Sequence, residues 1–321
     1  MTNYGEPELA HRQVEAAAAA GCDAVKFQAW RTESLVSKPV AERLSDELGR
    51  NWYERMESRE LSWDELRGLR DDAQARGLVW FATPHDDASL EFLAGDLDVP
   101  CLKVGSGEAS NWTFLRRVGA AGKPVLIAFG LQTDAEAQRA VTTLRDAGAP
   151  EVVAFHTVSA YPTPPQLANL KRIDDLRELL GVPVGISDHT VGWHIPLAAV
   201  ARGARAVEKH LTFDKTDPRS LDNPGALEPD ELAAMTRQIR ELELALAEPP
   251  ADPLEASRDW ALQAVVAARD LAAGHVLAEA DFAFKRPARG GVPASEAESL
   301  LGRTLRTAVA ADEQIRLDDL A

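Results

Sequence analysis

Cysteine is scarce in this sequence, which has only Cys22 and Cys101 among its 321 residues. The two lie far apart, and each stands at the start of a predicted buried strand. A disulfide framework is therefore not expected. Both cysteines are interpreted as small apolar residues that pack in the core.

Long apolar runs are missing as well. No stretch reaches the ~18 apolar residues that a membrane-spanning helix needs. The first residues, MTNYGEPELAHRQ, lack the basic flank and apolar core of a signal peptide. We therefore expect a cytoplasmic protein without a membrane partner.

Positive charge is in deficit, because 35 lysine and arginine residues face 51 aspartate and glutamate residues, for a net charge of −16. This balance argues against nucleic acid and anionic membranes as partners. An acidic protein that handles an anionic substrate has to gather its few basic groups locally. Lysines at predicted strand ends are therefore of particular interest.

The sequence does contain a regular alternation of strands and helices. Seven strands are predicted, at 22–28, 78–82, 101–104, 124–128, 151–155, 183–186 and 206–207. Eight helices are predicted, at 8–20, 62–76, 87–94, 111–120, 133–146, 169–179, 195–202 and 229–247. Such alternation predicts an α/β fold with a parallel sheet, either closed into a (β/α)8 TIM barrel or open and doubly wound. Charges and glycines after nearly every strand favour the barrel. With seven strands predicted, a closed eight-stranded barrel would need one more strand before Met1.

The composition changes after the eighth helix. The stretch EPPADPLEA, residues 248–256, is a Pro-rich, acidic linker of the kind that separates domains. It divides a barrel domain, residues 1–247, from a small β-rich domain, residues 257–321. The second domain is too small to be very stable alone, so we expect it to dock on another surface.

Two histidines follow neighbouring strands in the stretch VPVGISDHTVGWHIPLAAVARGARAVEKHLTFD. Strand, helix and strand form a parallel crossover unit, which places His189 and His210 just past the carboxyl ends of the strands. Barrels of this kind keep their chemistry at that face. Two converging imidazoles could hold one divalent cation. The alternative is that each histidine is a structural residue with satisfied hydrogen bonds.

Two lysines also lie at strand ends. Lys26 belongs to VKFQ together with Gln28, and Lys103 opens KVGSGE together with Ser106 and Glu108. A buried ammonium without a partner is very costly, so lysines that face the barrel interior need an anion such as phosphate or carboxylate. The small residues of KVGSG would let backbone N–H groups approach such an anion. The alternative is a pair of solvated rim residues.

Further polar residues stand in the loops. Glu108 and Asp188 could act as acid or base, or hydrogen-bond metal-bound imidazoles, unless they are strand-end caps or ion-pair partners. Tyr161 lies in HTVSAYPTPP and Asp222 in RSLDNPG, where binding residues often occur.

The motifs VKFQ, FATP, LKVGSGEASN, GKPVLIAFG, HTVSAYPTP, GISDHTVG, VEKHLTFD, FKRPARGGVP and LLGRTL resemble the sialic acid synthase (N-acetylneuraminate synthase) family, with its legionaminate, pseudaminate and spore-coat relatives. The resemblance covers essentially the whole chain in the family's order. It implies a TIM barrel, an antifreeze-like (SAF) domain and a domain-exchanged homodimer. The implied activity is condensation of phosphoenolpyruvate with an N-acetylated amino sugar, giving a nonulosonic acid and phosphate.

The resemblance also implies roles for individual residues. A divalent metal, manganese or alternatively magnesium or cobalt, is implied on His189 and His210. The implied phosphoenolpyruvate pocket is Lys26, Lys103, Ser106 and Ser187. Implied substrate contacts are Gln28, Thr83, Tyr161, Asp222 and, from the tail domain of the second copy, Arg286. Catalytic roles fall on Lys26, Lys103 and Glu108.

Three departures from the family's pattern leave alternatives open. The usual first strand with its glutamate is absent, and only TNYGE resembles the following motif. Ala128 replaces a serine, which removes a hydrogen bond to a charged group worth ~1.5–3 kcal/mol. Asn223 replaces a histidine. A catalytically impaired paralogue that binds sugars or a partner is therefore a second hypothesis. A barrel sugar isomerase is a third, but it gives the lysines and the tail domain no role.

Overall fold

The structure is a computed structural model that describes residues 2–45, 52–249 and 254–321. It separates into two units, Met1–Ala247 and Glu248–Ala321. Each unit has its own hydrophobic core, so each is described by itself. Residues 250–253 of the predicted linker lie outside the described residues.

The first unit is built on seven parallel strands that pair in chain order. They are β1 Ala24–Ala29, β2 Val79–Pro84, β3 Leu102–Val104, β4 Val125–Phe129, β5 Val152–Thr157, β6 Val184–Asp188 and β7 Val207–Lys209. All seven predicted strands are present, and they form the TIM-like parallel arrangement that the alternation predicts. Within the described part of the chain, β1 and β7 are the two edges of this sheet.

Four strands continue past their predicted ends, each by two residues: β2, β5, β6 and β7. The prediction ended each strand where its apolar run stops. Parallel pairing extends further because the next residues remain in register, as Asp188 does opposite Lys209. The polar residues at the carboxyl face of the barrel are therefore held by the sheet itself.

Helices surround the sheet. They are α1 Pro7–Ala19, α2 Thr32–Leu35, α3 Lys38–Arg43, α4 Trp52–Glu57, α5 Trp63–Ala75, α6 Asp87–Glu91, α7 Trp112–Ala120, α8 Asp134–Ala147, α9 Lys171–Leu180, α10 His194–Ala201, α11 Pro229–Leu246 and, in the second unit, α12 Glu255–Ala261. The predicted helix 87–94 is α6 followed by a π-helical turn, Phe92–Asp96. The short helices α2, α3, α4 and α12 were not predicted, because so few residues carry no readable period.

Capping residues fix where the longer helices begin. Ser62 and Glu65 form a capping box at the start of α5, with the Glu65 carboxylate 2.6 Å from the Ser62 nitrogen. Thr133 and Glu136 do the same for α8. Each such cap stabilises its helix by ~1 kcal/mol. The capped helices bury one face against the strands and leave the carboxyl strand ends free for a site.

A cavity of about 420 Å³ lies between the two edge strands. Its walls include Lys26 and Phe27 of β1, Glu208 of β7, Gln13 of α1 and Met235 of α11. The barrel wall is therefore open between β1 and β7 within the described residues. This opening lies where the sequence count lacks a strand.

The second unit packs around the antiparallel pair β8 Ala264–Ala267 and β9 Phe282–Lys285. Its core contains Val265, Ala267, Leu271, Leu277, Val292, Leu300, Leu305, Val309, Ile315 and Leu320. Asp281, which is 1% exposed, bonds to His275 and Arg269 within this unit. Among the described residues of the whole chain, no helix combines the length and apolar character needed to cross a membrane.

Candidate active site

Three of the predicted site residues meet at one carboxylate. Parallel strands bring their carboxyl ends to one face. There, Glu208 Oε2 lies 2.8 Å from Lys103 Nζ, and Glu208 Oε1 lies 3.3 Å from Lys26 Nζ. The Ser187 hydroxyl donates to Oε1 at 2.9 Å. The anion that the two lysines require is therefore present as Glu208, which the sequence reasoning did not single out.

This lysine–glutamate cluster is largely withdrawn from water, and burial lowers the pKa of Lys103 although the Glu208 charge opposes that shift. Burial alone would raise the pKa of Glu208, but Lys103 and Lys26 outweigh burial and hold that pKa well below its usual range. Lys103 is 2% exposed, and its ammonium also lies 4.4 Å from the centre of the Phe155 ring. Two ammonium groups and one carboxylate leave one positive charge, so the cluster still favours an anionic ligand.

The two histidines of the sequence prediction are paired. Their ring centres lie 5.3 Å apart with planes inclined by 27°. His189 Nδ1 lies 2.8 Å from the Val158 carbonyl oxygen, so Nδ1 carries the proton that it donates. That tautomer leaves Nε2 of His189 as the nitrogen able to bind a metal, in the manner typical of metal-binding histidines.

Burial also keeps both imidazoles neutral. It lowers the pKa of His210 to about 3, and it lowers that of His189. A metal binds the neutral imidazole, so this pair fits a divalent cation. In the described ranges no group of three or more histidine, cysteine, aspartate and glutamate side chains gathers to hold a metal.

The structure decides between the two interpretations that the sequence leaves open for Asp188. Asp188 Oδ2 lies 2.5 Å from Lys209 Nζ and accepts from the Thr190 hydroxyl at 2.9 Å. The sheet register places Lys209 directly opposite Asp188, and both side chains are at most 3% exposed. Asp188 is thus the ion-pair partner of the alternative interpretation.

Two loop residues accompany the histidine pair. The Tyr161 ring centre lies 4.2 Å from that of His189 and 6.4 Å from that of His210. Burial raises the pKa of Tyr161 to about 12, so its hydroxyl stays protonated and can donate. The Asp222 charge acts on both Tyr161 and His210, and Asp222 accepts from Ser220 at 3.2 Å. The structure therefore brings these two predicted residues to the imidazoles.

Glu108 lies at the other side of the strand ends, after β3. Its Oε1 is 2.9 Å from His85 Nδ1, while its Oε2 is buried without a hydrogen-bond partner. A Cβ on Gly105 would come within 2.9 Å of that Oε2, so glycine makes room for the carboxylate. A buried oxygen without a partner calls for an explanation, of which a catalytic role is one, and Glu108 stays a candidate acid or base. Sequence reasoning gave His85 no role.

Four further residues of the predicted site are Gln28, Thr83, Ser106 and Arg286. Thr83 is buried on β2 opposite Gln28 of β1, and Gln28 lines the cavity. The Ser106 hydroxyl accepts from the Gly130 nitrogen at 2.9 Å and lies 3.3 Å from the Ala128 carbonyl, so it joins β3 to β4. Arg286 is an exposed residue of the second unit.

Asn223, which departs from the family's pattern, is fully buried. Its Nδ2 donates to the Tyr4 hydroxyl at 2.6 Å and to the Asp217 carbonyl at 2.7 Å. Asn223 therefore holds together the loop that carries Asp222.

Comparisons with known proteins agree over most of the chain. The NeuB family model matches residues 13–250, and the SAF domain model matches residues 263–321. The chain is 33% identical to N-acetylneuraminate-9-phosphate synthase of Drosophila melanogaster, over 98% of this chain and 92% of that one. It is 31% identical to N,N'-diacetyllegionaminic acid synthase of Legionella pneumophila, over 95% and 88%. The structure of a sialic acid synthetase from Leptospira borgpetersenii in complex with citrate superposes with a TM-score of 0.68 and 30% identity, covering 80% of this chain and 86% of that one.

Proposed function

Because the chain belongs to the NeuB family, we propose that it condenses phosphoenolpyruvate with an N-acetylated amino sugar of the N-acetylmannosamine type. The products are a sialic-acid-like nonulosonic acid and inorganic phosphate. The observation that carries this proposal is the pairing of two functions in one cavity: Lys26, Glu208 and His210 all line the opening between β1 and β7. The groups proposed to bind the anion and one of the proposed metal ligands thus line the same cavity.

The lysines bind phosphoenolpyruvate. Lys26 and Lys103 neutralise its phosphate and carboxylate, and the Ser187 hydroxyl, 2.9 Å from Glu208, adds a donor. Holding the two reactants in one pocket converts a bimolecular step into an effectively unimolecular one. Glu208 pairs with both ammonium groups until the anion displaces it.

His189 and His210 would hold the divalent cation, which is manganese or, in its place, magnesium or cobalt. When bound, the cation supplies Lewis acidity to the aldehyde oxygen of the sugar. Tyr161, Asp222 and Gln28 orient the sugar beside it. His189 stays in the required tautomer through its bond to Val158.

The proposed reaction forms one carbon–carbon bond and breaks one carbon–oxygen bond. A carbon–carbon bond forms between C3 of phosphoenolpyruvate and the aldehyde carbon, and the aldehyde oxygen becomes a hydroxyl. Water adds to C2, and the bond from C2 to the phosphate oxygen breaks, which releases phosphate. Glu108, fixed by His85, stabilises the positive charge at C2 or steers the water.

The proposed site also takes one residue from a second copy of the chain. In our proposal two copies form a domain-exchanged homodimer, and Arg286 of the second copy contacts the sugar. Changing Arg286 to alanine then raises the Michaelis constant for the sugar while the dimer stays intact. Arg289→Ala, in the same exposed loop, is the matched control, and equal constants for the two variants would refute the role of Arg286.

A second candidate is a catalytically impaired relative that binds sugars without turnover. It is favoured by Ala128, which offers no hydroxyl, and by the open wall between β1 and β7. Calorimetry separates the two hypotheses, because an impaired relative binds the sugar but not phosphoenolpyruvate.

The decisive experiment measures phosphate release from phosphoenolpyruvate in the presence of manganese and an amino sugar, with mass spectrometry of the product. Free and phosphorylated N-acetylmannosamine and a diacetylated bacterial amino sugar are offered in turn. We expect release with one of them, and loss of release in Lys103→Met but not in Lys171→Met, an exposed lysine. No release with any of these sugars would refute the synthase proposal.

A further inference from the structure

A buried ion pair stands directly before the two histidines. Asp188 is the last residue of β6, and Lys209 is the last residue of β7. The register of these strands places the two opposite each other, with Asp188 Oδ2 and Lys209 Nζ 2.5 Å apart. His189 and His210 are the next residues along the chain, so each imidazole is carried by the first residue beyond its strand. We refer to Asp188 and Lys209 as the strand-end pair.

The strand-end pair points to the face of the sheet opposite the lysine–glutamate cluster. Successive side chains of a strand alternate between the two faces. Ser187 and Glu208, which each precede one member of the pair, hydrogen-bond each other within that cluster. At most 3% of either side chain of the strand-end pair is exposed. Any effect of so buried a pair on the site therefore has to pass through its neighbours in the chain.

The strand-end pair also restrains the backbone on both sides of His189. Thr190 donates to Asp188 twice, from its nitrogen to Oδ1 at 3.3 Å and from its hydroxyl to Oδ2 at 2.9 Å. Lys209 Nζ donates to the Thr190 carbonyl oxygen. One ammonium group on β7 therefore contacts the residue before His189 and the residue after it. The ring of His189 is held separately, through the Val158 carbonyl oxygen.

The histidines depend on such a restraint because both have to reach one ion. Their ring centres lie 5.3 Å apart with planes inclined by 27°. A site that uses two side chains together requires both to be held close to one productive geometry. In the described sheet, the pairing of β6 with β7 ends at the strand-end pair. This ion pair is thus the last link between the two strands before the imidazoles.

From these observations we propose that the strand-end pair consists of positioning residues, whose ion pair fixes the separation at which His189 and His210 bind one divalent cation. The inference rests on the proposed synthase function, because it deepens the role of the same two histidines. It assigns the buried pair to metal affinity rather than to stability alone. Removing one partner would leave the other buried without its counter-charge, whereas replacing both by apolar side chains is often tolerated.

The test measures manganese binding to the full chain by electron paramagnetic resonance, which counts the free ion. The double variant Asp188→Val/Lys209→Met fills both buried positions with apolar groups and removes the bonds to Thr190. We expect its dissociation constant for manganese to rise about 10- to 100-fold, as it does when partners that orient metal ligands are removed. Lys215→Met, a lysine paired with Glu231, is the control and leaves manganese affinity unchanged.

Two further measurements separate positioning from a loss of folding. Calorimetry with phosphoenolpyruvate in the absence of metal reports on the lysine–glutamate cluster, and we expect the double variant to bind it as the wild type does. The single variants Asp188→Asn and Lys209→Met are compared with the double variant in a cycle. If the pair acts as one unit, the rise in the double variant is smaller than the product of the two single rises. Rises that simply multiply would overturn the proposal.

The outcomes also distinguish this inference from the proposed function. A double variant that binds manganese as tightly as the wild type but unfolds at a lower temperature shows that the pair is only structural, and the synthase function then stands. A wild type that binds no manganese overturns the positioning role as well. If the double variant loses manganese affinity but the wild type releases no phosphate with any amino sugar, the synthase function fails and the positioning role stands.

Discussion

At the scale of single residues, Glu208 is the shared partner of two lysines that lie on different strands. The lysines of the site could be located from sequence, because parallel strands end at one face and buried ammonium groups need an anion. Their shared partner could not, because Glu208 is separated from Lys103 by 105 positions and from Lys26 by 182. Only the register of three strands shows that these groups meet. The two interpretations of Asp188 stayed open for the same reason, since its partner Lys209 lies on the next strand.

Replacing Glu208 with glutamine is expected to tighten the binding of inorganic phosphate. The change keeps the shape of the side chain but removes the charge that competes with an anionic ligand for Lys26 and Lys103. We expect the dissociation constant to fall about tenfold, which corresponds to about 1.4 kcal/mol. Isothermal calorimetry of the full chain measures it, with Glu241→Gln on the exposed side of α11 as control. Weaker binding in Glu208→Gln would mean that the carboxylate positions the lysines rather than competing for them.

Removing one imidazole is expected to weaken manganese binding. His210→Gln should raise the dissociation constant for manganese about 100-fold, whereas His194→Gln, an exposed histidine at the start of α10, should leave it unchanged. Protons compete with the metal only near the pKa of the imidazole, and that of His210 is about 3. The wild-type affinity should therefore be nearly the same at pH 7.5 and pH 6. A steep loss of affinity on acidification through pH 6.5 would show that binding depends on a histidine whose pKa is not lowered.

At the scale of elements, periodicity predicted the long helices and all seven strands, because an apolar stripe must face the sheet. The same signal could not reveal α2, α3 and α4, which are four to six residues long. It also ended four strands two residues early and two strands one residue early, since strand length is set by backbone pairing with neighbours rather than by apolar composition. The missing part of the prediction therefore concerns the carboxyl face, where the site residues lie.

The open wall should be visible in hydrogen exchange. β1 pairs only with β2, and β7 only with β6, within the described sheet. Amide groups that face the cavity from these edges lack a ladder partner and are free to exchange. We expect faster exchange in Ala24–Ala29 and Val207–Lys209 than in the central strand Val125–Phe129. Equal protection of all three strands would show that both edges are covered in solution.

At the scale of the whole molecule, the second unit depends on a buried charge of its own. The hydrogen bond from His275 lowers the pKa of Asp281 to about 2, and Ala278 and Arg269 add to this. A carboxylate with a depressed pKa stabilises the folded unit above its unfolded pKa of ~3.9. That contribution is lost progressively as pH falls from about 4 towards 2.

Asp281→Asn should therefore destabilise the second unit by ~1–3 kcal/mol at pH 7, because the buried partners lose their charged acceptor. Glu279→Gln, an exposed neighbour, should have little effect. Hydrogen exchange of Phe282–Lys285 in the full chain reports on this unit without requiring the whole protein to unfold at once. We expect the difference between the variants to shrink below pH 4. An unchanged exchange rate in Asp281→Asn at pH 7 would contradict the structural role of the carboxylate.

The proposed reaction requires an anion site and a cation site that share one cavity. Phosphorus relaxation of bound phosphoenolpyruvate, measured by ³¹P nuclear magnetic resonance with manganese present, tests this directly. We predict strong enhancement of relaxation in the wild type and its loss in His189→Gln/His210→Gln, which keeps the lysines that bind phosphoenolpyruvate. Bound phosphoenolpyruvate whose phosphorus relaxes at the same rate with and without manganese would contradict the account.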